Sequence, residues 1–327
     1  MSEANEAQPR RAESVANWVF LGPRGLRAGW AVLLFAMSFG VLLVGMQFVV
    51  APYVHLNRDM PLTPATGLLV ECAQLAPAVV ATWLMALLER RPRLYYGYQG
   101  KARAVRLVSG LVLGFVAISV VVLVLRALGY LTLERGTLAA GPALENAALW
   151  GVVFLLVGFA EETIFRGYVQ YTLARGMGFW WGALLVAVLF GTIHRTNPGE
   201  SPVGLLGAGA AGLIFCLSLW YTGSLWWAVG FHAAWDWGQS YFYGTADSGM
   251  MAQGHLLREH AVGPALWSGG TTGPEGSVIV FPLLLVVALL MVLWWGRRSE
   301  RPFAGGGWRP WKSEVPEGAG ERDDPGY

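Results

Sequence analysis

Long apolar runs constrain this chain more than any other feature. Eight segments of the sequence are apolar and long enough to cross about 30 Å of hydrocarbon as helices. They lie near residues 29–51, 66–88, 105–128, 144–174, 179–194, 203–221, 224–243 and 277–295. We therefore expect an all-α fold, a polytopic transmembrane helix bundle of about eight spans in the cell membrane, where the lipids are its immediate partners.

The composition supports this class of protein. Of the 327 residues, 55% are hydrophobic and only 13% are charged, whereas soluble domains carry about 25% charged residues. The formal net charge of +2 gives no support for nucleic-acid binding. The two cysteines each lie in an apolar run and form neither a metal-binding thiol motif nor a disulfide framework.

Basic residues indicate how the bundle is oriented. They cluster before the first span at 24–27, between the second and third spans at 90–106, and after the last span at 297–301. The loops that alternate with these segments carry few basic residues. By the positive-inside rule, both termini are predicted to be cytoplasmic, N-in and C-in.

The predicted organisation has three parts. Residues 1–28 form a cytoplasmic N-terminal tail, and residues 29–295 form one transmembrane domain. Within that domain, the motifs described below occupy a core at 145–243. Residues 296–327 are rich in glycine, proline and charge, which predicts a disordered cytoplasmic C-terminal tail.

A charged cluster interrupts the fourth apolar run. Glu161, Glu162 and Arg166 lie within six residues of each other, and each buried charge costs at least about 2.5–3.5 kcal/mol in hydrocarbon. Glu162 and Arg166 are at i,i+4 and can form an ion pair. Glu161 lies about 100° further around the helix and is free to face another partner.

Two other helices contribute polar residues at a similar depth. His194 lies at the end of the fifth run, and His232 and Asp236 stand at i,i+4 in the seventh. A rise of 1.5 Å per residue places Glu161 and these three residues roughly 12–24 Å from the cytoplasmic ends of their helices. We therefore expect the four side chains to converge in one layer.

The charge of this set must be balanced. Three acids and one arginine leave a net charge of −2 when both histidines are neutral. Either a divalent metal ion or protonation of a carboxylate and a histidine would neutralise it. A purely structural interpretation, in which the polar residues join helices, also stays open for the Glu162–Arg166 pair.

Two polar features lie outside these motifs. The loop at 244–276, with His255 and His260, is interpreted as an ordinary interfacial loop. Glu71 and Gln74 form a polar pair in the second run, for which helix–helix hydrogen bonding and a role in substrate access are both considered.

The residues of the cluster resemble the CPBP family of intramembrane metalloproteases, which includes type II CAAX prenyl endopeptidases and Abi proteins. The family pattern is EExxxR, then FxxxH, then HxxxN or HxxxD on separate helices. This chain has Glu161-Glu162-Thr-Ile-Phe-Arg166, Phe190-Gly-Thr-Ile-His194 and His232-Ala-Ala-Trp-Asp236 in the same order. The match extends over about residues 145–243.

The resemblance implies an intramembrane endopeptidase with a peptide or protein substrate, and it leaves open whether that substrate is lipidated. It implies that Glu161 activates a water with His194 as its partner. Glu162 and Arg166 would hold the helix face in register, while His232 and Asp236 would bind a metal or stabilise the oxyanion. If a metal such as Zn²⁺ is present, its candidate ligands are Glu161, His194, His232 and Asp236.

Asp236 departs from the commoner asparagine of this family. An ionised aspartate only accepts hydrogen bonds, so here it would orient His232, ligate a metal or act in its protonated form.

Two other classes of function use the same residues. Buried carboxylates and histidines also form proton relays in coupled transporters, although the sequence shows no internal repeat of that kind. A non-catalytic membrane scaffold or immunity protein would keep the cluster for binding a partner.

Overall fold

The chain folds into a bundle of apolar helices. A computed structural model describes residues 19–22, 25–53, 62–297 and 302–303. Within these residues, six helical segments are long and apolar enough to cross a membrane: Ala28–Val50, Pro64–Leu88, Arg103–Ala127, Ala140–Met177, Phe179–Thr196 and Pro202–Thr222. The prediction of an all-α, polytopic bundle and of a multi-pass membrane location is confirmed.

The helices follow the predicted apolar runs closely. In chain order they are α1 Ala28–Val50, α2 Pro64–Leu88, α3 Arg103–Ala127, α4 Ala140–Glu162, α5 Gln170–Met177, α6 Phe179–Ile193, α7 Pro202–Thr222, α8 Trp226–Asp236, the short α9 Ala265–Ser268, and α10 Val280–Trp295. Helices α8 and α10 have fewer than 18 residues, so they are shorter than the six segments above. The number of spans and the N-in, C-in orientation stay predictions.

Local sequence fixes where several helices begin. Thr63 caps α2 through a reciprocal bond with Thr66, and Pro64 occupies the first turn. Ser201 caps α7 by accepting a bond from the backbone N–H of Gly204, and Pro202 follows it. Both starts combine a hydroxyl that satisfies a free N–H with a proline whose missing N–H costs nothing at that position.

Two central helices approach each other through glycines. A Cβ on Gly110 or Gly114 of α3 would collide with the carbonyl oxygens of Trp227 or Phe231 in α8, and one on Gly230 would collide with the Leu107 carbonyl. Small residues four apart allow such close backbone contact between membrane helices. This contact fixes the depth and rotation of α8, the helix that carries His232.

The interpretation of residues 244–276 as an ordinary interfacial loop is wrong. Strand β2 (Leu257–Ala261) pairs antiparallel with β1 (Leu131–Arg135) in the α3–α4 connection. Further along, the hydroxyls of Thr271 and Thr272 donate to the Gly199 carbonyl. The segment therefore folds back over one end of the bundle, and this long-range pairing has no local sequence signature.

The last described residues of the chain also contact the bundle. Phe303 is buried, with its ring 4.7 Å from that of Phe179 and 5.2 Å from that of Tyr171. The rest of the predicted C-terminal tail beyond residue 303, and the N-terminal tail up to residue 18, lie outside the described residues.

Candidate active site

His232 is the centre of the polar cluster, and three carboxylates surround its ring. Its Nδ1 lies 3.2 Å from Glu162 Oε1, and its Nε2 lies 3.6 Å from Glu161 Oε2 and 3.5 Å from Asp236 Oδ2. An imidazole donates from both nitrogens only when it is protonated. The surroundings therefore favour a positively charged His232.

The predicted ion pair between Glu162 and Arg166 is confirmed. Arg166 Nη1 donates to Glu162 Oε1 over 3.0 Å, and both side chains are fully buried. The guanidinium also lies 4.1 Å from the centre of the Phe190 ring and 5.2 Å from that of Phe215, so cation–π contacts complete its environment. Arg166 stands behind the cavity wall, where it fixes Glu162 and through it His232.

One cavity contains the other candidate residues. It has a volume of about 370 Å³, and its lining includes Glu161, His194, His232 and Asp236. The prediction that these four side chains converge from three helices is confirmed as geometry. The surrounding wall is largely apolar, with Trp150, Phe154, Phe190, Phe215 and Phe231 among its residues.

Glu161 and His194 face the cavity without touching each other in the described structure. Glu161 Oε2 is out of reach of solvent and accepts no hydrogen bond from any described residue. His194 Nδ1 lies 2.7 Å from the Phe190 carbonyl, which can only accept, so Nδ1 is the donor. In the neutral ring Nε2 then keeps its lone pair. The partnership implied by the resemblance thus requires a water or substrate between them.

Both motif helices change their winding near their key residues. A π-helical segment at Thr163–Val169 follows Glu162, with a kink at Gly167 (φ −74°, ψ −112°). A second π-helical segment, Trp237–Phe242, follows Asp236. Such π-bulges are rare and occur mainly at functional sites. They turn the chain away from regular α-helix directly beside the buried carboxylates.

The side chains do not form a ready metal site. Among the residues that the structure describes, no group of three or more His, Cys, Asp or Glu side chains is arranged to hold a metal ion. Glu162 is already paired with Arg166, and the same His232 nitrogen contacts both Glu161 and Asp236. These residues do not fit a metal as they stand, and metal binding stays a prediction.

Two acidic residues that line the cavity could not be identified from the sequence. Asp247 and Glu275, from the segment that folds back over the bundle, line the cavity together with Asp236. Ser240 donates to Asp247 Oδ2 over 3.1 Å, and the backbone N–H of Ser248 donates to Glu275 Oε1. Nothing in the sequence near either residue distinguishes it from an exposed loop acid.

Both of these loop acids hold protons unusually tightly. Burial raises the pKa of Asp247 to about 6, against the bond from Ser240. Burial also raises the pKa of Glu275 to about 8, and the nearby Asp247 and Glu200 add to the effect. Glu275 is therefore mostly neutral at pH 7, which reduces the negative charge at this end of the cavity.

Comparison with protein families agrees with the geometry. Residues 143–238 match the model of the family described as type II CAAX prenyl endopeptidase Rce1-like. The matched segment contains all six residues of the cluster. A search of curated proteins found no match to this chain. Residues 143–238 of this multi-pass membrane protein are therefore similar to the Rce1-like type II CAAX prenyl endopeptidase domain.

Proposed function

We propose that the protein is an intramembrane endopeptidase that hydrolyses a peptide bond inside the cavity. The observation that carries the proposal is the meeting of Glu161, His194, His232 and Asp236, all from the family-matched segment, around one cavity. Peptide hydrolysis needs a base for water, a proton for the leaving amine and a donor for the oxyanion. The cavity contains a candidate for each task.

Glu161 is proposed as the general base. Its side chain lines the cavity and is about 20% exposed, so it can accept a proton from a water there. His194 can accept a second hydrogen bond from that water through Nε2. The water oxygen then attacks the peptide carbonyl carbon, and Glu161 passes the proton to the departing nitrogen as the C–N bond breaks.

His232 is proposed to stabilise the oxyanion. As an imidazolium it donates from Nε2 toward the cavity, where Asp236 and Glu161 lie within 3.6 Å. Negative charge that develops on the substrate oxygen would be attracted to this proton. Glu162 and Arg166 are positioning residues in this scheme. Glu162 contacts His232 Nδ1, and Arg166 fixes the carboxylate of Glu162.

The test is cleavage of a peptide library by the purified full-length protein and its Glu161→Gln and His194→Ala variants. Loss of a general base typically costs about 10²- to 10⁴-fold in rate. Both variants should lose cleavage to that degree while they keep the melting temperature of the wild type. The matched controls are Glu145→Gln, an exposed acid of the same helix as Glu161, and His255→Ala, a histidine that does not line the cavity.

Metal analysis of the same preparations distinguishes the two ways of balancing the cluster charge. A stoichiometric divalent ion lost in the His194→Ala and His232→Ala variants would establish a metal. Normal cleavage by Glu161→Gln would refute the proposed mechanism. Absence of cleavage by the wild type would favour a scaffold or a transporter, for which uptake driven by a pH gradient is the direct assay.

A further inference from the structure

A polar pair on α2 faces the candidate active site. Glu71 and Gln74 line the same cavity as Glu161 and His232, and Glu71 interacts electrostatically with both of those residues. The helix α2 is not part of the family-matched segment. The pair is therefore a feature of this chain that the family motifs do not explain.

The carboxylate of Glu71 accepts only long hydrogen bonds. Gln74 Nε2 approaches both of its oxygens, each at 3.4 Å, which is long for a hydrogen bond to a carboxylate. The described structure shows no basic side chain bonded to Glu71, although the residue is half-buried. Most of its capacity to accept hydrogen bonds is thus directed at the cavity.

The cavity as a whole is acidic. Its described lining contains five acids and two histidines but no lysine or arginine; the acids are Glu71, Glu161, Asp236, Asp247 and Glu275. Arg166 does not line it and is committed to Glu162. A carboxylate that is ionised in this cavity requires a partner of the opposite sign, and a positively charged group of the occupant can supply it.

We propose that Glu71 is a specificity-determining residue that binds a basic side chain, lysine or arginine, of the peptide substrate close to the scissile bond. This inference rests on the proposed function. The basic side chain would extend along the apolar wall with its charged end at Glu71, while the scissile carbonyl lies at Glu161 and His232.

The test compares peptides that differ only in one residue. Fluorogenic peptides carrying lysine, norleucine or glutamate at each position within four residues of the cleaved bond are assayed with the full-length protein. We expect the wild type to favour lysine over norleucine and to discriminate against glutamate.

Glu71→Gln removes the charge and keeps the shape. We expect the ratio of kcat/KM for lysine over norleucine peptides to fall about 10- to 100-fold, the range of a charged hydrogen bond. Glu71→Lys should invert the preference toward glutamate. The control Glu145→Gln, the same substitution at an exposed site of α4, should keep the wild-type ratio. An unchanged ratio in Glu71→Gln would overturn the inference.

Binding separates this inference from the proposed function. Equilibrium binding of the labelled lysine and norleucine peptides requires no turnover, so it applies even if no peptide is cleaved. Tighter binding of the lysine peptide that is lost in Glu71→Gln supports the role of Glu71. Equal binding of the two peptides by the wild type refutes it, while Glu161-dependent cleavage would still uphold the protease.

Discussion

Two buried carboxylates of this protein have opposite surroundings. Glu89, at the end of α2, accepts bonds from Tyr168 (2.8 Å), Tyr96 (2.9 Å) and both terminal nitrogens of Arg175 (3.0 and 3.1 Å). Glu161, in the cavity, has an oxygen with no hydrogen-bond partner among the described residues. Both oxygens of Glu89 accept hydrogen bonds within the fold, whereas Glu161 has an oxygen that accepts none from the described residues.

The comparison separates acids that stabilise the fold from acids that remain open to water and substrate. Burial on its own raises the pKa of Glu89, but the bonds from Arg175, Tyr168 and Tyr96 outweigh it and hold the pKa below the ordinary value. Such a bidentate pair joins α2 to α5 and has no capacity left for a ligand. The cavity acids outnumber their partners, which costs stability and leaves sites for water and substrate.

The largest effect on stability is expected at Glu162, which is paired with the buried Arg166 and also contacts His232 of the candidate site. Glu162→Gln leaves the fully buried Arg166 without a counter-charge, and removing one partner of a buried pair costs about 3–5 kcal/mol. Thermal unfolding in detergent should show a large fall in melting temperature. The double variant Glu162→Gln with Arg166→Met removes both charges and should recover much of this loss.

Peptide cleavage by that double variant tests whether the Glu162–Arg166 pair also positions His232. His232 would lose the negative charge beside Nδ1, which the introduced glutamine does not replace although its amide oxygen can still accept a hydrogen bond, so activity should stay low although stability returns. Recovery of both properties together would show that the Glu162–Arg166 pair does not position His232, contrary to the mechanism proposed above.

A smaller and purely structural effect is expected at Glu89. Glu89→Gln removes the charge that Arg175 and two tyrosines bind, and the loss of charged hydrogen bonds at a partly buried site costs about 1–3 kcal/mol. The melting temperature should fall, while the folded fraction should cleave peptides at the wild-type rate. Tyr96→Phe, which removes a single donor to Glu89, should have a lesser effect in the same direction.

The smallest effect depends on pH and concerns Glu275. Its folded pKa of about 8 lies above its ordinary value of 4.5, so the folded state binds the proton more tightly than the unfolded state. This stabilisation is complete below pH 4.5 and is lost as the pH rises through about 8. Because Gln cannot ionise, the melting temperature of Glu275→Gln should rise above that of the wild type by a few degrees between pH 5 and 9.

The control for this titration is Glu145→Gln at the exposed site. Its difference from the wild type should not change over the same pH range. A constant difference for Glu275→Gln as well would mean that Glu275 is ionised throughout and is paired differently in the folded protein.

The helical motifs were the part of the site that could be predicted from sequence. The i,i+4 spacing predicted the Glu162–Arg166 pair, and the counting of helical rise predicted the common layer of Glu161, His194 and His232. Both predictions depend only on the regular geometry of a helix. The bond from His232 Nδ1 to Glu162 could not be predicted, because it depends on the rotation of α8 against α4.

By itself, the sequence determined the class of protein, the helical segments and the candidate residues of the site. It did so because apolar length and helical periodicity are local properties. Only the tertiary structure decided that Asp247, Glu275 and Glu71 join the cavity and that no described residue donates a hydrogen bond to Glu161 Oε2. These features arise from long-range contacts, namely the fold-back of residues 244–276 and the approach of α2, which no local pattern specifies.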